Sequence, residues 1–217
     1  MQFDQDYFTN RIYVFKEKLV KRHLLEVVKW ATKVSGINLS NGQGKRALDV
    51  GCAYGYISEM LAGFGYETCG FDISLWGVKQ AKASGKGDFL VCDAQKGLPF
   101  KAGSFDLVTC FDVLEHLQFP EAALQNMLDA GSGMILCTTP NKTVEKPVRK
   151  LTRDFDETHI NVKSFAEWKK SINDNLKFKL LKIETFYDLT GKFADNFFFK
   201  SVNLPYLGLT VRIAIMK

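Results

Sequence analysis

Apolar positions recur at two different periods along the chain. Between residues 12 and 34, Phe15, Leu19, Val27, Trp30, Ala31 and Val34 alternate with lysines at helical spacing, and Gly36 offers a stop. From residue 46 the pattern changes to short apolar runs separated by helical stretches. Strands are expected at 46–50, 67–73, 88–93, 105–112 and 133–139, with helices at 56–64, 75–83 and 120–130. Strand–helix repetition of this kind implies a parallel sheet covered by helices on both faces. The last third breaks the rhythm. A helix at 164–175 precedes strands at 177–187 and 208–216, which lack a crossover helix and so are expected to pair antiparallel. The expectation is one α/β domain over 1–217, with a seven-stranded, mostly parallel sheet, an antiparallel last strand and a helical cover over 1–40.

Composition narrows the class. With 46% hydrophobic and 24% charged residues the chain reads as an ordinary soluble globular protein, and no run approaches the ~20 apolar residues of a membrane span. The N-terminus lacks the basic-then-apolar order of a secretory signal. Cys52, Cys69, Cys92, Cys110 and Cys137 form no C-x-x-C pair and mostly sit in apolar runs, so a reduced, cytoplasmic protein is expected. The net charge of +5 gathers at Lys16, Lys18, Lys21 and Arg22 and at Lys142, Lys146, Arg149, Lys150 and Arg153. Both groups read first as solvated faces and second as contacts for an anion.

The stretch "LDVGCAYG" (48–55) carries the chemistry: an acid near a strand end, a glycine turn, then a helix that presents free N–H groups. A phosphate loop would need a lysine after Gly55, and none follows. A dinucleotide fingerprint needs a third glycine where Tyr56 stands. The turn instead resembles the first motif of class I S-adenosyl-L-methionine-dependent methyltransferases. "FDVLEHL" (111–117) and "TTPN" (138–141) resemble the ubiquinone/menaquinone-biosynthesis-like branch of that family. The likeness is close over 46–140 and looser beyond. It implies a Rossmann-like fold in which 46–140 binds S-adenosyl-L-methionine, released as S-adenosyl-L-homocysteine (SAH), and 141–217 binds the acceptor.

The same resemblance assigns residues. Gly51, Cys52, Ala53 and Gly55 form the turn around the methionine end, with Asp49 orienting it. Asp72, about 20 residues on, takes the ribose hydroxyls, with Ile73 beside it. Asp93 and Ala94 meet the adenine, and Phe111 and Asp112 face the methionine. No metal is expected.

Methyl transfer to a hydroxyl also needs a proton acceptor. His159, before the helix at 164–175, and His116, beyond the fourth strand, are the candidate catalytic residues; His23, among lysines, reads as a surface residue. The absence of N-P-P-[YF] after the fourth strand argues against base or glutamine-amide methylation, and the absence of a cysteine pair against the RNA cytosine-5 type. The expected partner is a small-molecule acceptor, apolar or anionic: a sugar, lipid precursor or quinone-like metabolite. Rival readings are an RNA or protein methyltransferase using 142–153, with nucleic acid the weaker partner, and a binding subunit that has lost catalysis. The aromatic insert at 188–207 reads as a lid, an acceptor pocket or a homodimer contact.

Overall fold

Five apolar runs do form parallel strands. The computed structural model describes residues 3–10, 17–84, 86–152, 156–175, 179–193 and 196–217. Phe15, Lys16 and Arg153, and the first residues of the helix expected at 12–34 and of the strand expected at 177–187, lie outside them. The elements run α1 (Gln5–Asn10), α2 (Glu17–Ser35), β1 (Arg46–Val50), α3 (Tyr56–Gly63), β2 (Glu67–Asp72), α4 (Leu75–Ala83), β3 (Asp88–Val91) and β4 (Phe105–Phe111). They continue with α5 (Pro120–Ala130), β5 (Gly131–Pro140), α6 (Lys142–Thr152), α7 (Phe165–Asn175), β6 (Lys179–Phe193), β7 (Asn196–Asn203) and β8 (Thr210–Met216).

The sheet order is β3-β2-β1-β4-β5-β8-β6-β7. The first five strands pair parallel, and β8 runs antiparallel to both β5 and β6. The mostly parallel α/β fold with antiparallel C-terminal strands is thus present, but the sheet has eight strands and not seven. The extra strand comes from the aromatic insert. Its first part prolongs β6, and β7 folds back on it from Phe186↔Asn203 to Phe193↔Asn196. Gly191 and the aromatic clusters read as loop signals, yet Phe and Thr also suit a pleated surface.

Period-two alternation sends neighbouring side chains to opposite faces. Leu48, Val108, Ile135 and Ile213 pack on one face against Leu124 and Met127 of α5 and Trp168 and Ile172 of α7. Ala47, Leu107, Leu136 and Ala214 pack on the other against Leu24, Val27, Val28 and Ala31 of α2 and Leu61 of α3. Helix α2 ends where expected: Gly36, at φ +74°, closes it by donating to Thr32 O at 2.8 Å. No helix among the described residues is long and apolar enough to cross a membrane. Since β1 lies between β2 and β4, the winding reverses there, and a crevice opens beyond the C-terminal ends of those strands.

Candidate active site

That crevice is a cavity of about 550 Å³, within the ~300–1,000 Å³ usual for small-molecule sites. The turn after β1 forms its floor. Gly51 N and Cys52 N both donate to Phe71 O, at 2.8 and 3.0 Å, which ties the turn to β2. Gly51 sits at φ +72°, and a Cβ there would lie 2.3 Å from Val113 Cγ2. Only glycine meets both conditions.

Nine of the eleven residues assigned to the cofactor line the cavity: Gly51, Cys52, Ala53, Asp72, Ile73, Asp93, Ala94, Phe111 and Asp112. Asp49 and Gly55 do not. Asp49 is buried behind the turn, where its Oδ2 accepts from Ser58 N at 3.1 Å and Ser58 Oγ at 2.8 Å, and its Oδ1 from Thr109 Oγ1 at 3.2 Å. It therefore pins the first turn of α3 to β1 and β4. Burial pushes its carboxyl up to about 6, opposed by the Ser58 and Thr109 hydrogen bonds. Gly55, at φ +77°, is the N-cap of α3.

Asp72 stands on the wall with its Oδ1 accepting from Ser74 N at 2.8 Å and its Oδ2 from Ala53 N at 3.0 Å. Burial raises its pKa, opposed by these amides. A carboxylate offers about four lone-pair sites, so acceptor capacity remains on the cavity side. Asp93 Oδ1 accepts from Gln95 N at 3.0 Å, and Ala94 O from Asn126 Nδ2 at 2.9 Å, which fixes the β3 turn. Asp112 occupies the left-handed region at φ +54°, its N–H donating to Thr138 O at 2.9 Å. Such strain in a non-glycine residue is typical of functional turns.

The two signature stretches engage each other. Thr138 Oγ1 donates to Asp112 Oδ1 at 3.1 Å, and Thr139 Oγ1 to Glu115 Oε2 at 3.1 Å. Asn141 donates to Tyr206 O and Gly208 O at 3.0 and 2.8 Å, which fastens the end of β5 to the approach to β8. Glu115 is fully buried, and burial, reinforced by Asp112, holds its carboxyl well above the usual range.

The histidines fall differently from expectation. His116 is on the cavity wall, its Nδ1 2.9 Å from Thr158 Oγ1 and 3.2 Å from Thr158 O. Burial, with His159 adding, lowers its pKa to about 4. His159 stands behind it, rings 4.7 Å apart, with Nδ1 2.6 Å from Glu145 Oε1 and Nε2 3.5 Å from Asp156 Oδ2. It is not among the residues lining the cavity. Glu115, His116 and His159 bring ligand-type atoms within 4.8 Å of one another, a set that suits a divalent ion. Each is already hydrogen-bonded within the chain. His23 is the correction. It is not a surface residue but lines the cavity, with its Nδ1 2.8 Å from Asp188 Oδ2.

The methyltransferase-domain family matches residues 22–176, well over half of the chain. The chain belongs to the class I S-adenosylmethionine-dependent methyltransferases. This methyltransferase is 30% identical to the ubiquinone biosynthesis O-methyltransferase of Marinobacter nauticus over 163 residues, covering 68% of this chain and 67% of that one. The corresponding protein of Thiobacillus denitrificans is 34% identical over 110 residues, covering 47% of each. The chain thus spans about half the length of the first curated relatives it matches. Among solved structures, a SAM-dependent methyltransferase from Archaeoglobus fulgidus aligns with a TM-score of 0.69 at 20% identity, covering 95% of this chain and all of that one. Magnesium protoporphyrin IX methyltransferase from Synechocystis with bound SAH aligns at 0.62 and 19%, covering 94% and 87%. At these identities the likeness speaks for the fold.

Several walls of the methyltransferase cavity were not anticipated. Helix α1 contributes Tyr7 and Phe8, and Phe3 just before it lines the cavity too, with Phe8 stacked 5.3 Å from Trp76 and Phe3 edge-on to His116 at 5.6 Å. The spacing of Phe3 and Tyr7, four residues apart, was the available signal. His23 had a clearer one: it lies on the apolar stripe of α2, four residues after Leu19 and four before Val27. From the aromatic insert, Phe199 reaches the cavity.

Proposed function

We propose that the chain transfers a methyl group from S-adenosylmethionine to a hydroxyl oxygen of a small molecule with an apolar body. The observation that carries this reading is one cavity lined both by the acids of three strand termini, Asp72, Asp93 and Asp112, and by apolar side chains that include Leu19, Val20, Ile57, Phe111 and Phe199. The His23 imidazole stands edge-on to the last two.

The residues fit the donor. Backbone at Gly51, Cys52 and Ala53 gives close approach at the methionine end, with Phe111 and Asp112 opposite. Asp72 accepts from the ribose hydroxyls beside Ile73, and Asp93 with Ala94 receives the adenine. Asp49 and Gly55 act through the turn they hold. The bound donor supplies an activated methyl on a sulfonium. The chain's own work is to hold the acceptor oxygen in line, exclude water and remove a proton. His116 and His159 act here as a paired support for the wall, since the first is a weak base and the second lies behind it.

Two observations favour this acceptor over a polyanion. Asp72, Asp93 and Asp112 make the cavity wall acidic, which opposes nucleic acid there. Lys142, the first residue of the basic helix α6, is also engaged with Glu167 Oε1 at 2.8 Å. The O-methyltransferase names of the curated relatives support oxygen as the accepting atom. Incubation with methyl-labelled donor and a panel of phenols, alcohols, amines and tRNA tests the reading. It predicts an O-methylated small molecule. Label found only on amines or tRNA would overturn it.

A further inference from the structure

The buried network behind His23 has a role that clamping α2 to the sheet does not explain. His23 Nδ1 is 2.8 Å from Asp188 Oδ2, while Asp188 Oδ1 accepts from Arg212 Nη2 at 2.9 Å and from Ser201 Oγ at 2.5 Å. Arg212 is fully buried, and its guanidinium lies 4.0 Å over the Phe186 ring. Four elements therefore converge on one carboxylate: α2, β6, β7 and β8. Burial alone would push Asp188 up, but His23, Ser201 and Arg212 hold it below the usual carboxylate range. An ionised carboxylate accepts, so the proton of neutral His23 sits on Nδ1. Nε2 is then bare, closed to solvent and without a partner among the described residues, so an acceptor reaches it by displacing the side chains that cover it. The ring stands edge-on to Phe111 at 5.9 Å and to Phe199 at 6.4 Å, and all three residues line the cavity.

We propose that His23 is the general base of the reaction, with Asp188 and Arg212 as its positioning residues. This rests on the oxygen-acceptor reading above. The acceptor hydroxyl gives its proton to His23 Nε2 as an oxygen lone pair forms the new O–CH3 bond. The S–CH3 bond breaks with its electron pair going to sulfur, and His23 returns the proton to solvent. Asp188 stabilises the imidazolium, as a carboxylate does in other His-acid pairs. The competing histidines are weaker: His159 is held behind the wall by Glu145, and His116 has its Nδ1 engaged by Thr158 and its pKa lowered by burial. His23 stands on the cavity wall with a carboxylate behind it, the arrangement of a base and the acid that orients it.

The test compares wild type with His23→Asn, whose amide can still donate to Asp188 in place of Nδ1. Two acceptors are used at pH 9: 4-ethylphenol, mostly neutral there, and 4-nitrophenol, ionised there. Loss of a general base costs roughly 100- to 10,000-fold, so kcat should fall by at least about 100-fold on 4-ethylphenol and only a few-fold on 4-nitrophenol. SAH affinity and thermal midpoint should stay near wild type. In 15N spectra of the wild-type histidines, His23 should show a protonated Nδ1 and a bare Nε2, a pattern lost in Asp188→Asn. Wild type that methylates neither phenol and labels only amines or tRNA in the panel above overturns the oxygen-acceptor reading, and the need for a base with it. Methylation retained in His23→Asn on 4-ethylphenol overturns the base alone. So does a proton found on Nε2, a result that needs no substitution.

Discussion

Asp49 is a carboxylate spent on architecture, and its burial has a pH signature. With its pKa moved from 3.8 to about 6, the folded protein keeps a proton between those values that the unfolded chain releases. Stability therefore falls as pH rises through that window and levels off above about 6, by at most about 3 kcal/mol. Asp49→Asn removes this titration while keeping an acceptor for Ser58. The variant's stability relative to wild type is expected to climb between pH 4 and 6 and then plateau, as read by urea unfolding at each pH. The acids at strand ends were legible in the sequence because each closes an apolar run at ordered spacing. Their division of labour came from the resemblance, which has Asp49 orient the turn. What Asp49 pins was not legible: Ser58 and Thr109 come under the turn only in three dimensions. His23 was masked by its charged neighbours Lys21 and Arg22.

At the scale of elements, the glycine turn and helix α1 make the sharpest demands. Gly51→Ala should cost about 1–2 kcal/mol for the left-handed backbone and a further ~1–3 for the clash with Val113. Adding Val113→Ala should recover part of the second cost, giving a favourable coupling in a double-mutant cycle of chemical denaturation. A purely additive pair would mean that the turn can move away from Val113. Phe8, 3% exposed against Trp76, makes α1 part of the cavity. Phe8→Ala should weaken SAH binding by about 2- to 12-fold, the worth of one aromatic pair; an unchanged affinity would make α1 a bystander. Strand–helix units with long apolar runs were readable. Around the short α1 one four-residue spacing, Phe3 to Tyr7, was all there was to read, and the β6–β7 hairpin carried no two-residue turn signal of the Asn-Gly kind.

Across the whole molecule, the sheet order places everything functional at one point, where β1 and β4 part and the winding reverses. The parallel half brings Asp72, Asp93 and Asp112 to that rim. The antiparallel half brings Asp188, Ser201 and Arg212 behind His23. In the proposed reaction, donor binding and acceptor chemistry fall to different parts of one sheet, and the account stands on the donor being held at the parallel rim. Calorimetric titration of SAH into wild type and Asp72→Ala tests this most directly. Two hydrogen bonds to a carboxylate, each worth about 1.5–3 kcal/mol and not additive, predict one-to-one binding that weakens at least about tenfold in the variant, with the fold retained. Equal affinity in the two proteins, or binding of NAD in place of SAH, would contradict the account.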